Sequence, residues 1–393
     1  MKVNAQIKKN VIVYYLSLTL ITISISLPHA ILTLVFLSKG VSVQEMLLVQ
    51  TTYSIAILIF EFPSGLIADM FSKKTVFIIS KLIYLIMLIV VLLKSGLFWM
   101  TFAWVLYGIA SALDSGTIDS QIIVDLKKYG YSKQVTPFVK NDNILNLTSL
   151  LVGSFLGSIL YPMIKNDIYI ISILLVITLI ISVSLFYRNI DTNESVKTKS
   201  LKKQVTSSFS ELVSNQKIRQ IIILNSVGQI FFQTHYQMWQ AYLLKVGVPS
   251  SMFGIVYLVF QIIGIIAYQI NIQNFSNILL KFAFGSLVGL IIMVLSKNIF
   301  LIMIGYIFFV GIFSIIDATL TKRFAISVSN KNISSLTSLK STTGRISSVI
   351  ILGLSSLAMN YLPITTIITL NFSLSIILLS IFWIISWKKD VTF

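Results

Sequence analysis

Long apolar runs recur along this chain from residue 11 to residue 387, and they limit what it can fold into. A helix of about 20 apolar residues spans the hydrocarbon core of a bilayer. In that core only helices and closed barrels satisfy every backbone N–H and C=O. Barrel strands give short segments of alternating polarity. These runs are long and apolar on all sides, so they read as helices. Composition agrees: 56% of the residues are hydrophobic and 11% charged, whereas a soluble domain carries about 25% charged residues.

The runs place spans near residues 11–37, 43–68, 75–93, 97–121, 137–162, 168–187, 218–244, 250–271, 277–296, 298–321, 332–360 and 363–387. Lys2, Lys8 and Lys9 ahead of the first run imitate a signal peptide. That run is too long for an h-region and no small-x-small cleavage pattern follows it. Twelve spans put both termini on one side. With the termini in the cytoplasm, only Lys39, Lys94, Lys165, Lys245 and Lys297 of the 30 basic residues lie outside. This asymmetry is what the positive-inside rule demands. It also accounts for the net charge of +17, which in a soluble protein would suggest nucleic acid; no nucleic-acid partner is expected. Cysteine is absent, which excludes disulfides, thiol nucleophiles and Cys-based metal sites.

One long polar loop, 188–217, carries Arg188, Lys197, Lys199, Lys202, Lys203 and Lys217. It divides the chain into 1–187, six spans, and 218–393, six more. It reads as a cytoplasmic linker, partly disordered or lying on the membrane surface. The halves repeat. Gly108, Ile109, Ser111 and Asp114 match Gly311, Ile312, Ser314 and Asp317. Lys140, Gly153 and Tyr161 match Lys340, Gly353 and Tyr361; His29, Leu37 and Lys39 match His235, Leu243 and Lys245. The expected fold is an all-α membrane protein of twelve transmembrane helices in two pseudo-symmetric six-helix bundles, with any substrate site at the repeat interface.

Between spans 2 and 3 the chain reads Gly65-Leu66-Ile67-Ala68-Asp69-Met70-Phe71-Ser72-Lys73-Lys74. This resembles the cytoplasmic loop signature of the major facilitator superfamily, and Glu61-Phe62-Pro63-Ser64 before it resembles small bacterial members. The resemblance implies that Gly65, Asp69, Lys73 and Lys74 latch the outward-facing state. Gly65 permits close helix approach, and Asp69 at a helix end can accept hydrogen bonds from a neighbouring helix N-terminus. Ser72 replaces the usual Gly before the basic pair. Trp104 stands where family exporters often carry Arg, and Ser158 where a Pro often follows Gly157. The corresponding loop Asn271–Asn277 has lost its charges.

An ionisable side chain in the hydrocarbon core costs several kcal/mol unless it is paired or borders water. His29, Glu61, Lys81, Asp114, Asp119, His235 and Asp317 are placed there by the spans. The resemblance implies that spans 1, 4, 7 and 10 line a central cavity, and these carry His29, Asp114, His235 and Asp317. With Glu61, they are the proton-coupling candidates; structural packing is the competing role for each. Lys81 is expected to snorkel to the cytoplasmic surface. In span 7, Asn225, Gln229, Gln233, Tyr236 and Gln240 share one face, with Phe232 and Trp239 beside it. Amides among aromatics suit an amphipathic ligand or serve as interhelical glue.

The expected activity is secondary transport by alternating access: proton-coupled export of a drug, peptide or lipid-like metabolite, or proton-coupled uptake of a small polar solute. The expected partners are a small-molecule substrate, protons and the lipid bilayer, with the chain a monomer in a bacterial plasma membrane. No enzyme is expected, since neither metal-ligand spacing nor a nucleophile with its base is present. No cofactor is expected, and a scaffold without transport would leave the buried charges without a role.

Overall fold

The computed structural model describes the backbone of residues 2–115, 117–190, 201–270, 275–329 and 333–387. These residues are almost wholly helical. The helices are α1 (Lys2–His29), α2 (Leu32–Ser38), α3 (Val43–Met70), α4 (Lys73–Leu93), α5 (Leu97–Asp114), α6 (Ile118–Lys128), α7 (Val135–Ile164) and α8 (Ile168–Phe186). They continue as α9 (Leu201–Ser214), α10 (Gln216–Lys245), α11 (Phe253–Gln269), α12 (Phe275–Leu295), α13 (Ile299–Ser327), α14 (Ile333–Ala358) and α15 (Ile364–Trp387). Among the described residues, eight helical stretches are long and apolar enough to cross a membrane. The chain is a multi-pass membrane protein. α10 is long enough but lies outside that set; the amides along it lower its hydropathy.

Two expected spans are interrupted. The run 11–37 breaks after His29 and restarts at Leu32. Pro28 has no N–H to give the carbonyl four residues back. That carbonyl, Ser24 O, instead accepts from Ser172 Oγ of α8 at 2.9 Å, while Ser24 Oγ donates to Ser172 O at 3.1 Å. The run 97–121 also breaks: α5 stops at Asp114, Ser115 is extended (φ −60°, ψ 125°), and α6 begins at Ile118. Thr117 Oγ1 closes the turn on Asp114 O at 2.8 Å. Residues 201–214 of the linker are helical.

The chain forms two compact units, Met1–Val196 with Phe253–Tyr257, and Lys197–Met252 with Leu258–Phe393. In the first, α1 packs on α7 and α8, α4 on α5 and α8, and α3 on α5. In the second, α10 packs on α14 and α15, and α12 on α13 and α15. The pairings α1–α7, α1–α8, α4–α5 and α4–α8 thus recur as α10–α14, α10–α15, α12–α13 and α12–α15.

Small residues set the closest approach. A Cβ on Gly153 would strike Ser26, and one on Gly157 would strike the Leu27 carbonyl, so α7 lies backbone to backbone on α1. The repeat-related Gly353 faces open space. Close helix contact through glycine is a usual means of packing helices in lipid, and the second unit uses it elsewhere, at Gly289 and Gly305, where α12 meets α13.

Candidate substrate and coupling site

An ion pair lies among the apolar helices of the first unit. Ser72 caps α4, its side chain accepting from Thr75 N at 3.2 Å. Lys81 lies eight residues beyond Lys73, about 12 Å along the axis. Its Nζ meets Asp114 Oδ2 at 2.6 Å, and the two side chains are 4% and 39% exposed. The ammonium also sits 4.6 Å from the centre of the Phe77 ring, and Ser80 Oγ donates to Asp114 Oδ1 at 3.4 Å. Lys81 therefore does not snorkel. Its reach is shorter than the distance back along α4, and the carboxylate ending α5 supplies the counter-charge locally.

The same face of α5 carries Trp104, Tyr107 and Ser111. The Tyr107 ring centre is 4.8 Å from that of Tyr53 on α3 and 5.4 Å from that of Tyr84 on α4. Tyr53 Oη is 3.4 Å from Ser111 Oγ. Gly108 admits α3, since its Cβ would lie 2.6 Å from Ala56 Cβ and 2.8 Å from Tyr53 O. Sequence reasoning identified Asp114 and missed this tyrosine cluster; aromatics at helical spacing read as ordinary core. On the neighbouring helix pair, Asp142 Oδ1 accepts from Tyr14 Oη at 2.6 Å and so ties α7 to α1.

The other first-unit candidates lie apart in character. Glu61 is half-buried on α3. The side chains of Gly65 and Asp69 lie outside the described residues, although α3 runs helically to Met70. Lys73 is half-buried. Lys74 donates to Ser184 O at 2.9 Å and Tyr187 O at 2.8 Å, satisfying carbonyls at the end of α8. His29 is an exposed residue ending α1.

Its repeat partner His235 is buried in the second unit. The imidazole Nδ1 lies 3.0 Å from Tyr306 Oη. It stacks parallel to Phe231 at 5.7 Å and meets the Phe260 edge at 4.6 Å. The two histidines are related in sequence and not in surroundings. Asp317 is half-buried on α13, with Lys340 of α14 as the nearby positive charge. Lys340 Nζ lies 5.2 Å from the Phe324 ring centre. The repeat thus keeps the acid, which is ion-paired with α4 in the first unit and has its nearby positive charge on α14 in the second.

The amide face of α10 divides in two. Asn225 and Gln240 are buried, as are Phe232 and Trp239, whose ring stands edge-on to Phe260 at 5.4 Å. Gln229 and Gln233 are half-buried and bonded to one another at 3.2 Å. Tyr236 is 54% exposed. Asn225 and Gln229 lie against Gly344 of α14. A separate node joins α10, α14 and α15, with Asn371 donating to Thr234 Oγ1 at 3.0 Å and Ser355 Oγ at 2.9 Å. No group of three or more His, Cys, Asp or Glu able to hold a metal occurs among the described residues.

This arrangement is that of a multi-pass helical membrane protein, built from repeated helix pairings with charged groups and amides inside them. Solved transporters share its fold. The nucleoside transporter NupG aligns at a TM-score of 0.73 and 13% identity, over 98% of each chain. A point mutant of NupG aligns at 0.72 and 14% identity, over 96% of this chain and 98% of that one. The POT family transporter PepTSo aligns at 0.72 and 11% identity, over 98% of this chain and 99% of that one. No family model matches the sequence, and no curated protein matches it.

Proposed function

We propose that this chain is a secondary active transporter of the major facilitator type, with a twelve-span body that alternates access between segments 1–187 and 218–393 across the linker 188–217. The full-length likeness of fold to solved transporters supports it. The observation that carries it is the Lys81–Asp114 pair, a sealed ammonium held by a half-exposed carboxylate. Burying such a pair costs desolvation that ordinary packing would avoid. Protonation of Asp114 would leave Lys81 without its counter-charge and disfavour the paired arrangement. Restoring the pair would expel the proton. Proton occupancy would then bias one conformation over the other, which is all that coupling requires.

The substrate in this reading is an amphipathic small molecule, exported in exchange for protons and bound along Gln229, Gln233 and Tyr236. The chain works as a monomer in a bacterial plasma membrane, without cofactor or covalent chemistry. The fold likeness to a nucleoside transporter favours a second reading, proton-coupled uptake of a small polar solute. Purified protein in liposomes holding a pH-sensitive dye tests both against a panel of amphipathic drugs, peptides and nucleosides. A substrate-evoked proton flux that is lost in Asp114→Asn is expected. Substrate moving at the same rate without a proton gradient would defeat the coupling. Accumulation in energised inside-out vesicles marks export; accumulation in right-side-out vesicles marks uptake.

A further inference from the structure

The linker helix α9 has a fixed rotation about its own axis. Glu211 accepts from Ser329 N at 2.8 Å and from Ser329 Oγ at 2.7 Å, in the segment following α13. Arg219 donates to the Leu212 and Val213 carbonyls, capping the C-terminal end of α9. Asn215 then caps α10, accepting from Lys217 N and Ile218 N. The elbow between α9 and α10 is therefore a single residue with both ends tied down, and α9 also packs on α14.

At 100° per residue, Phe209 and Val213 lie about 160° to either side of Glu211. They are 64% and 57% exposed. The register of Lys202 falls midway between them, on the side of the helix opposite Glu211. The outward edge of α9 thus presents two large apolar groups and a basic position, directly beside the start of α10. A helix with an apolar edge and basic residues, lying at a membrane surface, takes lipid with its apolar groups among the acyl chains and its lysines at the headgroups. The linker's basic residues outnumber Asp191, Glu194 and Glu211, and Glu211 is already engaged.

We infer that α9 is an anionic-lipid contact, with Phe209 and Val213 seated in the adjoining leaflet and the linker's excess of basic residues drawing it to acidic headgroups. This rests on the membrane-spanning reading of α10 and not on transport, so a chain that carries no substrate would still show it.

The absence of cysteine makes the test direct. Val213→Cys in the full chain, labelled with an environment-sensitive fluorophore, is placed in nanodiscs of phosphatidylcholine with increasing phosphatidylglycerol. The emission should shift to the blue, and doxyl-labelled lipid should quench it, increasingly with phosphatidylglycerol. Lys202→Gln with Lys203→Gln should raise the phosphatidylglycerol content needed for half the effect by about fivefold or more, the weight of one to two basic residues near such a surface. Three results would each overturn the inference: a label equally wet in both lipids, quenching that ignores lipid charge, or a blue shift without doxyl quenching. The last would mean that protein, a second copy included, covers this edge.

Discussion

Lys81 and Asp114 share one ion pair unequally: the base is sealed in protein while the acid keeps 39% of its side chain exposed. The inequality decides what each substitution does. Asp114→Asn strands a buried ammonium and should lower stability by about 3 kcal/mol. Lys81→Met leaves a carboxylate that is still part-exposed and should cost about 1 kcal/mol. The double variant should resemble Lys81→Met alone, because no charge is left to desolvate. Thermal unfolding in detergent checks the order. Equal losses in the two single variants would mean that the pair is not asymmetric in this way.

Gly157 and Gly353 should respond oppositely to the same added methyl. At Gly157 it meets the Leu27 carbonyl, a backbone atom that cannot swing aside. Gly157→Ala must separate α7 from α1, at about 3 kcal/mol. At Gly353 nothing lies within 4 Å, so Gly353→Ala gains helix propensity worth up to about 1 kcal/mol. Monodisperse yield and unfolding temperature read out both. A tolerated Gly157→Ala would contradict the close approach of α1 and α7.

The sequence repeat relates Gly153 to Gly353 and His29 to His235, yet structure separates the members of each pair. Identity along a chain records ancestry and position; closeness of a neighbouring helix is a tertiary matter that one strand of text does not carry. Helix extents were more legible, because hydropathy is local: α3, α4, α8 and α13 begin within two residues of the expected spans. The break after His29 was signalled by Pro28, and the break after Asp114 by Ser115, Gly116 and Thr117, but the apolar residues around them hid both. Lys81 was misjudged because snorkelling is the default for a lysine near a span end. Only the packing of α4 on α5 shows that a carboxylate is within reach. The Tyr53–Tyr107–Tyr84 cluster needs three helices to exist and has no signal on any one of them.

Lys39 gives a pH dependence that can be followed without transport. It lies between α2 and α3, 7% exposed, and its Nζ donates to Leu92 O at 2.8 Å, near the end of α4. Burial holds its amine below the ordinary lysine range. The unfolded chain therefore binds more protons here than the folded one, and stability rises with pH through this group. The charged form's penalty is in full force below the lowered pKa and fades between it and the ordinary value of 10.5. The unfolding temperature of the wild type minus that of Lys39→Met should therefore increase as pH climbs through that alkaline window. A difference that stays flat, or falls, would show that the amine is well solvated.

The amide face of α10 should split by burial. Tyr236 is exposed and Gln233 half-buried, while Asn225 and Gln240 are enclosed by protein. A ligand reaches the first two; the last two serve the packing. Tyr236→Ala and Gln233→Ala are expected to raise the KM for substrate by about tenfold with little change in unfolding temperature, since removing one good contact from a binding site costs about 1.4 kcal/mol at that ratio. Asn225→Leu and Gln240→Leu should instead lower the unfolding temperature, because each forces a differently shaped side chain into a closed helix contact. Transport kinetics in liposomes and unfolding curves on the same preparations separate the two effects. If Tyr236→Ala changes stability and leaves KM alone, α10 is holding helices together at that position and the ligand binds elsewhere.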